Sequence, residues 1–294
     1  MVCRLILEIN DMKKIIFKYT FIVFGVILFA MTSCEKKEVL DASALNLGGD
    51  NWEKSNVDIW IYDSLTKPYN IEVKYKWDRS ELNMNKTLVP PRESIVIPVM
   101  TAMKQVWIKP YEFLKGPNFI KEIGQKQFIL VGSVEYNSNG TIVLGQADGG
   151  RKITLFEINN FDLTNRQLIK RMLKTMHHEF AHILHQKKMF TTLYAQVTPG
   201  GYDPTWFNFR DAEVLRLGFI SAYSRNSVED DFVEMIAIML TEGKAAFDAL
   251  VNSAGAGASA LRQKELYVRQ YMLETWDIDM TALQNQTQDE INAL

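Results

Sequence analysis

Two stretches early in the main body, residues 58–63 and 69–77, are rich in aromatic and β-branched residues. The second alternates apolar with polar positions over its whole length. That pattern predicts two strands joined around Thr66-Lys67-Pro68. Pro90-Pro91-Arg92-Glu93 then opens a segment carrying Val99, Met103, Val106 and Trp107 at helical spacing, where Pro98 predicts a late start and Pro110 a stop. Three more apolar runs, 128–133, 141–145 and 152–158, read as strands separated by Asn137-Ser138-Asn139-Gly140 and Ala147-Asp148-Gly149-Gly150. The period then changes. Behind the N-cap candidates Asp162-Leu163-Thr164-Asn165, the residues Leu168, Ile169, Met172, Leu173, Met176, Phe180, Ile183 and Leu184 mark an amphipathic helix over 164–188. A punctuated stretch follows, with Pro199-Gly200-Gly201, Asp203-Pro204 and the aromatics Tyr194, Tyr202, Trp206, Phe207 and Phe209. A second helix is predicted over 228–240, and two more beyond residue 244 separated by Ala254-Gly255-Ala256-Gly257. The expected class is α+β: a twisted, mostly antiparallel sheet, then a long helix, then a helical C-terminal half.

The beginning of the chain has another character. From Met12 it runs Met-Lys-Lys-Ile-Ile-Phe-Lys, then an apolar stretch from Tyr19 to Met31, then Thr32-Ser33-Cys34, the order of a secretory signal. The apolar run is shorter than the ~20 residues of a transmembrane helix. Its end at Cys34, followed by Glu35-Lys36-Lys37-Glu38, resembles a bacterial lipobox, in which the cysteine becomes the lipid-modified N-terminus. Met31 departs from the leucine that pattern prefers. Residues 1–11 read as an over-extended start, 12–34 as the signal, 35–51 as a polar tether and 52–294 as the folded domain.

Composition narrows the function classes. The only cysteines are Cys3 and Cys34, so the domain has none for a disulfide and must be stabilised by its core. A hydrophobic share of 47% is ordinary for a globular chain. A net charge of -2 provides no basic footprint, which argues against a nucleic-acid partner.

All four histidines fall in His177-His178-Glu179-Phe180-Ala181-His182-Ile183-Leu184-His185, which contains His-Glu-x-x-His. On a helix His178 and His182 stand one above the other, so two imidazoles can converge on one metal ion. Glu179, turned by roughly 100°, falls beside a water on that ion and not on the ion itself. The pattern therefore points to a zinc hydrolase site, with Zn2+ as cofactor. Such sites use three protein ligands and keep a fourth position for water. His185 shares the face of the two histidines but lies about 10 Å along the axis from His178, too far for three rings to meet one ion. The metzincin solution needs Gly at 185 and His at 188, where this chain has His185 and Lys188.

The lipobox, the His-His-Glu-Phe-Ala-His-Ile-Leu-His-Gln segment, Gly218-Phe219-Ile220-Ser221-x-Tyr223 and Glu229-Asp230-Asp231-Phe232-Val233-Glu234 together resemble the substrate import-associated zinc metallohydrolase lipoproteins. The resemblance covers most of the mature chain and implies a zincin-like, gluzincin-type metallopeptidase. In that pattern an acidic ligand stands on a second helix, four residues before a Glu that supports the site. Counting back from Glu234 gives Asp230, with Glu229 as the rival, since the pattern usually carries Glu there. Glu234 would accept a hydrogen bond from the free ring nitrogen of a metal-bound histidine. Tyr223 matches a tyrosine that donates to the tetrahedral oxyanion. Glu179 would be the general base, taking a proton from water and returning it to the leaving amine. A strand along the cleft would pair with an extended peptide or protein substrate, and 152–158 is the expected one. Family likeness also implies an outer-membrane lipid anchor at Cys34, on the cell surface or the periplasmic face, in company with a nutrient importer and its binding lipoprotein. A lipoprotein that keeps the fold and only captures substrate is the alternative, and an amidase acting on non-peptide bonds would use the same chemistry.

Overall fold

Helix begins where the run of aromatic and β-branched residues predicts strand. In the computed structural model, which describes residues 53–294, residues Asn56–Ile61 form helix α1 and the turns continue as far as Tyr69. The cause is local. Ser55 Oγ accepts from the Asp58 amide at 3.2 Å, and the Asp58 carboxylate accepts from the Ser55 amide at 3.0 Å. This capping box commits the chain to helix despite the strand preference of the residues that follow. Val57, Ile61, Leu65 and Tyr69 are then buried at intervals of four, the helical spacing. Only Glu72–Lys74 of the second predicted strand is extended, as β1. The readings of residues 1–52, including the signal, Cys34 and the tether, lie outside the described residues.

The prolines act differently from expectation. Helix α2, Glu93–Met103, starts ahead of Pro98 and contains it. A wider π-helical turn at Lys104–Ile108 follows, and α3, Lys109–Lys115, carries Pro110 in its first turn. The wide turn opens the carbonyl ladder where the Pro110 ring would clash, and the first turn needs no amide there. Burial of Val96, Val99, Met100, Met103, Val106 and Trp107 on one side favours continuing the helix. After α4, Asn118–Ile123, come β2 Gln127–Leu130, the hairpin β3 Glu135–Tyr136 and β4 Ile142–Val143, then β5 Gly145–Asp148 and β6 Lys152–Leu155.

The sheet corrects the antiparallel expectation. Its order is β1-β2-β6-β5, with β1 parallel to β2, β2 parallel to β6, and only β5 antiparallel to β6. Parallel neighbours need long crossovers, supplied here by α2 to α4 and by the hairpin region. The short turn after Asp148 makes the one antiparallel pair. Lys152–Leu155 is consequently interior, flanked on both sides, and the strand with a free edge on this side is β5.

Helix α5, Arg166–Lys187, is capped by Asn165, whose side chain accepts from the Leu168 amide at 3.2 Å. Its core face is keyed by Phe180, which meets Trp107 at 5.2 Å and Tyr111 at 5.0 Å between ring centres, both edge-on. After the short α6, Asp211–Leu215, helix α7 runs Val228–Ser253 from the N-cap Ser227. It breaks at Gly243, whose φ of 73° is left-handed and whose absent Cβ leaves room for the Gln288 side chain. Helices α8, Ala258–Gln270, and α9, Met280–Asn292, pack on α7; α9 goes beyond the predicted pair, and its buried Gln284 donates to the Met239 carbonyl at 2.9 Å. Among the described residues no helix is long and apolar enough to cross a membrane.

Candidate metal centre

The long helices α5 and α7 cross with their polar residues facing each other inside the core. Phe180, buried between Glu179 and Ala181, pins α5 so that His178 and His182 look toward the first turn of α7. There His178 Nε2 and His182 Nε2 approach to 3.1 Å, and Asp230 Oδ1 lies 3.7 Å from the first and 3.4 Å from the second. Ligands of a tetrahedral zinc at about 2.0–2.1 Å are separated by roughly 3.3 Å, so the three atoms have the spacing of three corners of that tetrahedron. Among the described residues, His178, His182 and Asp230 form this group, and Glu229 stands outside it.

Each of the three is held by a partner on its far side. His178 Nδ1 donates to Glu234 Oε1 at 2.9 Å, which leaves Nε2 with its lone pair toward the cluster. Glu234 Oε2 accepts from Ser221 Oγ at 2.7 Å and from Lys174 Nζ at 2.8 Å. Burial opposes charge on Glu234, but Lys174 and His178 outweigh it and hold the carboxyl well below its ordinary range. Asp230 Oδ2 accepts from Asn226 Nδ2 and Ser227 Oγ, both at 2.7 Å. Burial raises the proton affinity of Asp230, yet the hydrogen bonds from His182, Asn226 and Ser227 prevail and bring it down to about 2. Oδ1 is thus ionised and turned to the histidines, 3.4 Å from His182 Nε2.

These residues fit a divalent cation. Lone pairs on two imidazoles and one carboxylate face one another at less than 4 Å, an arrangement that repels itself unless a positive charge sits between. Three carboxyl groups, those of Asp230, Glu179 and Glu234, stand against the one ammonium of Lys174, an excess of acidic groups that a divalent cation would offset. The same field acts on His178: burial works against its protonation, but Glu234, Glu179 and Asp230 still raise its pKa.

Glu179 is buried beside the pair without joining it. Burial raises its pKa against the histidines, and the Ala147 amide of β5 donates to it. Contact with β5 is close enough to exclude any side chain at Gly145, where a Cβ would fall 2.5 Å from Thr175 Cγ2 and 2.9 Å from Glu179 Oε1. A cleft of about 240 Å³ opens here, lined by Thr141 to Gly145, Lys174, Thr175, His178, Glu179, Trp206 and Tyr223. The Tyr223 ring lies 5.6 Å from that of His178 and edge-on to Trp206 at 4.9 Å. Its hydroxyl stays protonated, pushed far up by burial and by Asp230, Glu179 and Glu234.

His177 is fully buried, and burial lowers its pKa to about 3; neither ring nitrogen has a partner. It belongs to the core. His185 is off the metal group, with Nε2 3.0 Å from His182 Nδ1. Lys174, Ser221, Asn226 and Ser227 were not singled out from sequence for roles here. Two had local signals: Lys174 stands one helical turn before His178, and Ser227 begins the Ser-x-x-Asp start of α7. Trp206 lines the cleft, whereas Tyr194 is buried and Tyr202 turns to Asp231.

Residues 50–281 match the profile of the family described as "Putative zinc-binding metallo-peptidase". Among solved structures, the chain is similar to the crystal structure of a protein from Bacteroides caccae described in the same words. The identity is 33% and the TM-score 0.68, over 83% of this chain and 97% of that one. No curated protein matches.

Proposed function

The chain belongs to this zinc-binding metallo-peptidase family, and from that premise we propose a zinc-dependent peptidase in which His178, His182 and Asp230 hold the metal and Glu179 moves the proton. The observation that carries the reading is the meeting of His178 Nε2, His182 Nε2 and Asp230 Oδ1 beside a buried carboxylate in an open cleft. A zinc ion held there lowers the pKa of a water toward about 7 and polarises the substrate carbonyl.

The protein's own groups do the rest. Glu179, whose burial raises its affinity for a proton, takes one from the attacking water on its carboxylate and returns it to the departing amine. The Tyr223 hydroxyl, kept neutral, donates to the oxygen on which negative charge develops. The outer edge of β5, which begins at Gly145 and gives its Ala147 amide to Glu179, borders the cleft, where an extended peptide can add as a further strand through the remaining main-chain groups. A mixed sheet whose antiparallel edge strand borders the histidine helix supports a zincin-like arrangement. Lipidation at Cys34, placement at the outer membrane and company with a nutrient importer belong to the same proposal and rest on the sequence features alone.

The test is cleavage of a peptide library by the purified protein with zinc. Glu179→Gln, which keeps the shape and the metal ligands, is expected to lower turnover ~10²–10⁴-fold with zinc still bound. Equal cleavage by the variant would remove Glu179 from the mechanism. Peptides bound but never cut by zinc-loaded wild type would favour substrate capture. Mass spectrometry of the membrane-extracted N-terminus tests the lipid on Cys34.

A further inference from the structure

The two histidines of the metal group are oriented by unlike partners. His178 gives its Nδ1 proton to the carboxylate of Glu234. His182 Nδ1 has the imidazole of His185 instead, with Nε2 at 3.0 Å. For His182 Nε2 to offer a lone pair to the metal, the neutral ring must carry its proton on Nδ1. The hydrogen-bond partner in reach of that proton is His185 Nε2.

We propose that His185 is the positioning residue for His182: its Nε2 accepts the His182 Nδ1 proton and so fixes the tautomer and ring angle at which His182 meets zinc. His185 lies three residues on, roughly 4.5 Å along the helix, behind His182 as seen from the metal. This explains a histidine that shares the motif's face and cannot reach the ion. Its ring is buried and set against Phe190 at 5.7 Å, edge-on, and Phe190 stacks on Phe232 of α7 at 4.0 Å. The aromatic wall restricts the ring. When Nε2 accepts, the proton of His185 sits on Nδ1, which has no hydrogen-bond partner among the described residues, so the unpaired donor falls on a ring that does not touch the ion and not on the ligand His182. An imidazole acceptor orients His182 without adding a fourth acidic group beside the metal; a second carboxylate like Glu234 would upset the balance that Lys174 keeps.

The inference rests on the metal-centre reading, and the experiment separates the two. Zinc affinity of the full chain is measured by competition with a chelating dye for wild type, His185→Gln, His185→Asn and His185→Leu. Gln places an amide oxygen near the position of Nε2, whereas Asn is too short and Leu has no acceptor. Leu and Asn are expected to weaken zinc binding ~10–100-fold, with Gln restoring most of it. Wild type that refuses zinc overturns both readings. Tight wild-type binding with an unchanged Leu variant, or with Gln as weak as Leu, overturns this one alone. A measurement without substitution covers variants that fail to fold. In zinc-loaded wild type, long-range proton–nitrogen correlation spectra should show protons on His182 Nδ1 and His185 Nδ1. A proton on His185 Nε2 would overturn the assignment.

Discussion

Asp230 and Asp231 stand side by side at the start of α7, and the roughly 100° of helix rotation between them points one carboxylate at the histidines and the other at a lysine. On the metal side, Asp230 and Glu234 lie one turn apart and each keeps an oxygen engaged with neutral donors or a half-exposed ammonium. On the opposite side, Asp231 Oδ2 meets Lys264 Nζ of α8 at 2.6 Å, both side chains at 0% exposure. Lys264 also donates to the Gly218 carbonyl at 2.7 Å, and Tyr202 donates to Asp231 at 3.1 Å. This second cluster fastens α8 and the 201–218 connection to α7, so one face of a helix carries the candidate metal group and the adjacent face holds the helix in place.

The largest expected effect comes from breaking the fastening. Asp231→Asn or Lys264→Met leaves a buried group without its counter-charge, and the cost should be about 3–5 kcal/mol of unfolding free energy in urea. Removing both charges together, with Leu at 231 and Met at 264, should recover much of that loss, because an apolar pair of similar volume avoids desolvating two ions. Zinc affinity of this double variant should stay near wild type if the two faces are independent. A large loss of zinc affinity with restored stability would show that Asp231 also sets the position of Asp230.

The next effect is on the metal face. Glu234→Gln keeps a hydrogen-bond acceptor for His178 but removes the charge that Lys174 balances, and zinc affinity should fall ~10–100-fold. Stability without zinc should change less than in the Asp231 variants, since Lys174 is half-buried and can turn to water. Gly145→Ala acts on the same centre from the sheet: the added methyl meets Thr175 and Glu179, so turnover should drop while the ligands keep zinc. A variant with wild-type kcat would mean that β5 can retreat from Glu179.

Legibility divided along similar lines. The histidine helix was readable because its signals are short-range and redundant: an N-cap, a 3.6-residue apolar period and a metal-ligand pair at i, i+4. Residues 58–63 read as a strand because Ile59, Trp60, Ile61 and Tyr62 are β-branched or aromatic, while the deciding signal is the two-bond cap at Ser55 and Asp58. Strand direction was not readable, since it depends on what crosses between strands, and Lys152–Leu155 looked like an edge only while β5 was unknown. Lys174 and Ser221 converge on Glu234 from separate elements, and no spacing along the chain encodes that meeting.

The smallest expected effect settles the choice within the acidic run. Glu229 precedes Asp230 by one residue and lies outside the group formed with the histidines. Its place in the first turn of α7 gives it only the favourable field of the helix N-terminus, so Glu229→Gln should cost at most ~0.3–1 kcal/mol and leave zinc affinity unchanged. Asp230→Asn, by contrast, puts an amide where Oδ1 faces two lone-pair nitrogens, and whichever way it turns the site loses the negative charge that the histidines and zinc require. Zinc titration of the pair therefore discriminates between neighbouring acids that the sequence leaves as rivals. If Glu229→Gln abolished binding and Asp230→Asn did not, Glu229 and not Asp230 would be the ligand, and the division between the two faces of α7 would have to be redrawn.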